Sequence, residues 1–146
     1  MNASVISVPV ISAMVAAVLI VLQQALMITV GLHRAQAGIG IGVGEDAHLE
    51  RKVRRLGNLA EISALFVVTL AISELFGAPT IAVAGFGLAF VVARFSHAIG
   101  FSSLAGSHVG AQGSKAFVIM RAMGAFGTFF TGIGLGLFLA FTLATT

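Results

Sequence analysis

The chain has 146 residues, of which 58% are hydrophobic and 9% are charged, and its formal net charge at pH 7 is +3. Soluble domains average about a quarter charged residues, so this composition excludes a protein whose whole surface faces water. The absence of cysteine excludes disulfide bonds, thiolate metal ligands and a cysteine nucleophile. A single basic cluster without interleaved aromatic residues argues against nucleic-acid binding.

Four apolar segments follow one another along the chain, and each is long enough for a transmembrane helix, which needs about 20 mostly apolar residues. They cover approximately residues 8–32, 49–76, 79–103 and 114–142. Residues 1–8 contain no lysine or arginine, and the apolar run that follows is too long for a signal peptide, so the first segment is predicted to span the membrane. The sequence therefore predicts one all-α domain over residues 1–146, a membrane protein built as a four-transmembrane-helix bundle.

The basic residues outside these segments predict how the bundle is oriented. They cluster around two polar loops, at residues 33–48 and 106–115, whereas the two tails and the short turn at residues 76–80 have none. By the positive-inside rule, both polar loops lie in the cytoplasm and both termini lie on the non-cytoplasmic side. His33, His48 and His108 lie in or beside these loops without metal-ligand spacing, so no metal site is predicted.

The second segment carries its charged residues into the membrane on one face. At 100° per residue, Arg51, Arg54, Asn58 and Glu61 fall within an arc of roughly 80°. Arg51 can extend toward the headgroups as an interfacial anchor. Asn58 and Glu61 lie about two to three turns inside, and ionisable residues at such depth are functional candidates by default.

The third and fourth segments add further cations at a similar depth. Arg94 and His97 lie at positions i and i+3, Phe101 follows one turn later, and Arg121 lies near the cytoplasmic end of the fourth segment. Arginines outnumber glutamates in the predicted cytoplasmic half. The arginines are Arg51, Arg54, Arg55, Arg94 and Arg121, and the glutamates are Glu50 and Glu61. One interpretation is an ion pair between Glu61 and an arginine (Arg54 or Arg94) that holds the helices together. The other is a missing anion, because guanidinium groups bind carboxylate or phosphate bidentately.

Two short motifs built from these residues resemble the MAPEG family, the membrane-associated proteins of eicosanoid and glutathione metabolism. An arginine, a Gly-Asn pair and a glutamate three residues later stand in the second segment as Arg54, Gly57, Asn58 and Glu61. An Arg-x-x-His sequence followed by a glycine and an aromatic residue stands in the third as Arg94, His97, Gly100 and Phe101. The two motifs in order, in a four-span chain of this length, are a fairly specific signal.

The resemblance implies a homotrimer that binds glutathione as a cosubstrate between neighbouring subunits, near the cytoplasmic side. The residues implied to line that site are Arg51, Arg54, Asn58, Glu61, Arg94 and His97. Arginines and an asparagine would hold the glutathione carboxylates, and a glutamate would hold its amino group. Arg34 is a weaker candidate, and Phe101 occupies a position where several members have a tyrosine.

Arg121 resembles the helix-four arginine that lies near the thiol in the catalytic members, and it is the implied catalytic residue. A cation there favours the thiolate, which is the nucleophile; the alternative is an anchor at the cytoplasmic end of the helix. Ala122 replaces the serine that often follows this arginine, and the phenylalanine at 101 cannot donate a hydrogen bond to sulfur. The resemblance implies a bacterial-type member of the family that lies in the inner membrane. The histidine, tyrosine and proline that bacterial members usually have in the second helix are missing here.

Two functions follow from the resemblance. The first is an integral membrane glutathione transferase or peroxidase, in which the glutathione thiolate attacks a lipophilic electrophile or hydroperoxide that arrives from the bilayer. The second is a non-catalytic scaffold of the same fold that binds a lipid or an anion, so the assignment as an enzyme stays open. A transporter is disfavoured because the polar cluster stops about halfway across the membrane.

Other polar and small residues are predicted to serve packing rather than chemistry. Small residues let transmembrane helices approach closely, and the fourth segment has a face of them: Gly124, Gly127, Thr128, Thr131, Gly132, Gly134 and Gly136. Glu74, near the outer end of the second segment, is predicted to extend its carboxylate toward the membrane surface.

Overall fold

The fold is a bundle of four long α-helices, seen in a computed structural model that describes residues 8–103 and 114–145. The helices are α1 (Val10–Ala37), α2 (Ala47–Leu75), α3 (Thr80–Gly100) and α4 (Lys115–Ala144). The prediction of an all-α chain with four long apolar helices is confirmed. Most of the predicted second polar loop, with His108, lies outside the described residues.

Each helix is long and apolar enough to cross a membrane, with 28, 29, 21 and 30 residues in chain order. No more than 39% of the most apolar window of any helix is buried inside the chain. Apolar side chains such as Val21, Leu65, Leu88 and Phe130 therefore point away from the bundle. A bilayer solvates such a surface, whereas water does not.

The first helix runs past its predicted end at Leu32 and stops only at Ala37. Gly38 then adopts a left-handed conformation with φ of 66°, and its N–H donates to the carbonyl of Arg34, which is the usual glycine end of a helix. The polar loop is correspondingly short. It ends at Asp46, whose carboxylate accepts hydrogen bonds from the N–H groups of His48 and Leu49, each at 2.9 Å, and so caps α2.

The side chains around Asp46 also join the end of α1 to the start of α2. His33 Nε2 lies 2.7 Å from Asp46 Oδ2, and Lys52 Nζ lies 2.9 Å from His33 Nδ1. The hydrogen bond from Leu49 N–H, followed by the one from His33, holds the pKa of Asp46 below its ordinary value. This cluster closes the α1–α2 hairpin at the predicted cytoplasmic end.

The core consists of apolar side chains where the four helices meet. Phe66 of α2 stacks on Phe90 of α3, with ring centroids 3.7 Å apart. The most extensive packing joins α3 to α4, and the next joins α1 to α2. The α1–α3 contact requires a glycine, because a Cβ on Gly87 would lie 2.7 Å from Cγ2 of Val15.

The glycines of α4 do not all pack against another helix, and the predicted small-residue face is only partly correct. A Cβ on Gly124 would lie 2.4 Å from the backbone nitrogen of His97, so this residue is needed for the α3–α4 approach. Gly132 and Gly136 have no neighbouring atom within 4 Å of such a Cβ. Both line open clefts on the bundle surface instead.

Glu74 caps the beginning of α1, a role that its position in the sequence did not predict. Its carboxylate accepts hydrogen bonds from the backbone N–H groups of Ile11 and Ser12, at 3.0 and 2.9 Å, and from the Ser12 hydroxyl at 2.7 Å. The first N–H groups of a helix have no partner within the helix, and Pro9 offers α1 no side-chain cap. A carboxylate from α2 satisfies them and complements the positive end of the helix dipole.

We expect Glu74→Ala to lower the free energy of unfolding in detergent micelles by about 2 kcal/mol, because hydrogen bonds to a charged group contribute about that much. Denaturant titration followed by circular dichroism measures the change. Glu45→Gln is the matched control, since Glu45 is exposed and lies outside the helices. Equal unfolding midpoints for Glu74→Ala and the wild type would contradict this role.

Candidate functional site

A cleft of about 460 Å³ opens between α2, α3 and α4. Its polar wall combines one side chain of α2 with two of α3 and one of α4, namely Asn58, Arg94, His97 and Thr128. The remaining wall is apolar and includes Ile62, Phe129 and Ile133. The cleft therefore brings polar groups from three helices to one place within the membrane-spanning part of the chain.

The guanidinium of Arg94 is the most deeply buried charge at this cleft, and the residue is only 2% exposed. Its Nη1 donates to the Thr128 hydroxyl oxygen at 3.0 Å, but its Nε is buried without a hydrogen-bond partner. Across residues 8–103 and 114–145, the only ion pair joins His33 to Asp46, so no carboxylate neutralises Arg94. A buried cation without a counter-ion is costly, and this cleft is chemically suited to an anion.

His97 lies one turn further along α3 and connects the cleft to Arg121. The residue is 7% exposed, and its Nδ1 is buried without a partner. Its ring stacks on Phe101 at a centroid distance of 5.5 Å. The guanidinium carbon of Arg121 in turn lies 5.4 Å from the Phe101 ring centroid, within the range of a cation–π contact.

Two glycines allow α3 and α4 to approach closely enough for these contacts. Besides Gly124, a Cβ on Gly100 would lie 2.5 Å from the backbone nitrogen of Arg121. The Ser96 hydroxyl adds an interhelical hydrogen bond to the Met120 carbonyl at 2.8 Å. The glycine that follows the Arg-x-x-His sequence thus has a geometric purpose: it places Arg121 beside Phe101.

A family model described as the MAPEG family matches residues 12–141 of the 146-residue chain. The match spans all four helices except two residues at the start of α1 and three at the end of α4. The chain belongs to the MAPEG family. Membership and the four apolar helices together identify an integral, multi-pass membrane protein. Membership also supports a general role in glutathione or eicosanoid metabolism, and no curated protein matches the chain.

The structure gathers some of the MAPEG motif residues and leaves others apart. Asn58, Arg94 and His97 line the same cleft, with Phe101 and Arg121 beside it. Arg54 and Glu61 are exposed, and no hydrogen bond or ion pair joins either to another side chain in the described part of the chain. The predicted alternative of an ion pair between Glu61 and Arg54 or Arg94 is therefore not formed among the described residues.

Three further basic residues of the MAPEG chain point elsewhere. Arg34 donates to the carbonyls of Ile39 and Gly40, each at 3.4 Å, and so holds its own loop. Arg51 is half-buried, and its Nη2 lies 3.4 Å from His48 Nδ1. Arg55 faces α1, where its Nη2 donates to the Thr29 hydroxyl at 3.4 Å. None of these three residues lines the cleft.

The sequence predicts a packing role for Thr128, but the structure shows that it also contacts the central arginine of the cleft. It lies one turn after Gly124, on the face of α4 that the close approach to α3 buries. That spacing is the signal by which it could have been found, because a polar side chain at i+4 from a crossing glycine faces the same partner helix. No group of three metal-ligating side chains occurs among the residues that the structure describes.

Proposed function

We propose that this protein is a membrane enzyme that binds glutathione in the cleft between α2, α3 and α4 and transfers it to lipophilic electrophiles or uses it to reduce lipophilic hydroperoxides. The observation that carries the proposal is the buried guanidinium of Arg94, which faces an open cleft with an unpaired Nε and no carboxylate partner in the described chain. Membership of the MAPEG family supports the choice of glutathione as the anion.

The side chains at and near the cleft fit the charges of glutathione. Arg94, with Asn58 beside it, would bind a carboxylate, because a guanidinium offers paired N–H donors. Arg54 and Arg51 would hold the other carboxylate, and Glu61 would hold the amino group. Since Arg54 and Glu61 are exposed on the outside of α2, these contacts need a site that a neighbouring subunit completes, and a homotrimer is part of the proposal.

Arg121 would act on the sulfur. Glutathione supplies the nucleophilic thiol, and no nucleophile is required from a chain that has no cysteine. The guanidinium of Arg121, held against the Phe101 ring, would stabilise negative charge on the sulfur. His97 would fix the Phe101 ring by stacking. The apolar wall with Ile62 and Phe129 would admit the lipophilic cosubstrate from the bilayer. The polar loops would face the cytoplasm, in a bacterial inner membrane.

A non-catalytic scaffold is the second candidate, and specific residues favour it. Phe101 has no hydroxyl to donate to sulfur, and Ala122 has none either. Such a protein would bind an anion or lipid at Arg94 and carry out no chemistry on it.

The experiment that separates the two candidates uses the purified protein in detergent. Thiolate formation is followed by ultraviolet difference absorbance as glutathione is added, and turnover is followed with an aryl halide. An enzyme gives a saturable thiolate signal and aryl halide conversion. Tight glutathione binding without either signal supports the scaffold, and a protein that does not bind glutathione overturns both the enzyme and its cosubstrate.

A further inference from the structure

Among the residues that the structure describes, the Thr128 hydroxyl is the only hydrogen-bond partner of the buried Arg94 guanidinium. We infer that Thr128 is a positioning residue: its hydroxyl oxygen fixes one orientation of the Arg94 guanidinium, and so sets the affinity for the anionic ligand without acting on its sulfur. This inference rests on the proposed function, because it takes glutathione to be the anion that Arg94 binds.

The direction of the hydrogen bonds defines what Thr128 can do. Its hydroxyl donates its single hydrogen to the Gly124 carbonyl at 2.8 Å, so toward Arg94 its oxygen can act only as an acceptor. Arg94 Nη1 donates to that oxygen at 3.0 Å. Since a guanidinium is planar, holding one terminal nitrogen restricts where the remaining N–H groups point.

The backbone around Thr128 keeps this acceptor in place. Gly124, which accepts the Thr128 hydrogen bond, is also the residue at which α4 approaches the His97 backbone most closely. Thr128 is 5% exposed and β-branched, so its side chain has little rotational freedom. The hydroxyl therefore belongs to the rigid α3–α4 contact, and Arg94 is oriented before any ligand arrives.

Preorganisation of this kind lowers the cost of binding. Without the acceptor, Nη1 would join Nε as a buried donor without a partner, and the guanidinium could turn away from the orientation that the ligand needs. The effect falls on the carboxylate end of glutathione. Arg121 packs on the Phe101 ring, and no hydrogen bond joins it to Thr128 in the described residues.

The test compares Thr128→Val with Thr128→Ser by titrating each protein with glutathione in detergent. Valine keeps the branched shape but removes the acceptor, and we expect the Kd for glutathione to rise about tenfold, as for loss of a hydrogen bond to a charged group. Serine keeps the hydroxyl and is expected to bind as the wild type does. The thiolate absorbance at saturating glutathione should stay at the wild-type amplitude in both variants.

Thr131→Val is the matched control. The Thr131 hydroxyl donates to the Gly127 carbonyl at 2.7 Å, as Thr128 donates to that of Gly124. It also lies 3.1 Å from the backbone carbonyl of Thr128, which neither substitution removes, and it lines a different cleft with Ala82 and Phe86. We expect its Kd to be unchanged. In an Arg94→Gln background, Thr128→Val should have no further effect on Kd, because the two residues act as one unit.

The outcomes distinguish this inference from the proposed function. If the wild type does not bind glutathione, the proposed function fails. If the wild type binds and Thr128→Val binds equally well, or if Thr131→Val weakens binding as much, only the positioning role is overturned. Weak binding by Thr128→Ser would also overturn it, because the hydroxyl is retained. Should Thr128→Val not fold, Thr128→Ala removes the same acceptor with less bulk.

Discussion

Replacing Arg94 with glutamine is expected to weaken glutathione binding about 100-fold, which corresponds to nearly 3 kcal/mol, within the range for loss of one partner of a buried charge pair. The reason is that Arg94 is the buried cation of the cleft and has no internal carboxylate in the described residues. Isothermal titration calorimetry in detergent measures the change. Arg94→Lys should weaken binding less, since it keeps the charge but loses the planar pair of donors.

The unfolding temperature of Arg94→Gln separates an effect on binding from an effect on folding. A buried arginine without a counter-ion destabilises the ligand-free protein, so Arg94→Gln should unfold at the same temperature as the wild type or higher. Lys115→Gln is the control for a general charge effect, because Lys115 is exposed at the start of α4. If Arg94→Gln unfolds at a lower temperature than the wild type, the stability prediction is wrong. If the folded variant binds glutathione as tightly as the wild type, Arg94 does not form the anion site.

Replacing Arg121 with alanine is expected to leave glutathione bound but to lower the thiolate fraction at neutral pH by about tenfold, the effect of one pKa unit on the bound thiol. Arg121 packs on Phe101 next to the cleft, so in the proposed site its charge would act on the sulfur, while Arg94 would hold a carboxylate. Ultraviolet difference absorbance measures the thiolate, and aryl halide turnover should fall in parallel.

Arg121→Lys is the control for this prediction, because it keeps a positive charge at the position and should retain a substantial part of the thiolate signal. A full thiolate signal in Arg121→Ala would show that another group stabilises the sulfur. If Arg121→Ala keeps its fold but no longer binds glutathione, Arg121 is needed for binding itself and not only for stabilising the thiolate.

The helices could be predicted from local pattern, but their ends and cross-links could not. Long apolar runs predicted four helices because hydrophobicity over about 20 residues is a strong local signal. The extension of α1 to Ala37 depends on the left-handed glycine that follows it. The cap that Glu74 provides joins residues more than 60 positions apart, and nothing in the local sequence indicates which distant helix a side chain will meet.

The candidate site was predictable in part, for a related reason. Helical spacing correctly placed Arg94 and His97 on one buried face. The same reasoning grouped Asn58 with Arg54 and Glu61, yet only Asn58 reaches the cleft. An arc of roughly 80° is wide enough to include residues that face a neighbouring helix and residues that face outward. The interhelical role of Thr128 required knowing where α3 and α4 cross.

A calorimetric comparison of two ligands tests whether the Arg94 guanidinium, which has no carboxylate partner in the described residues, binds the negative charge of a ligand in this cleft. The purified wild-type protein is titrated calorimetrically with glutathione and, separately, with its diethyl ester, in which both carboxylates are neutralised. Charge-assisted hydrogen bonds require the carboxylates, so glutathione should bind at least about tenfold more tightly than the ester. Equal affinity for the two compounds would contradict the account.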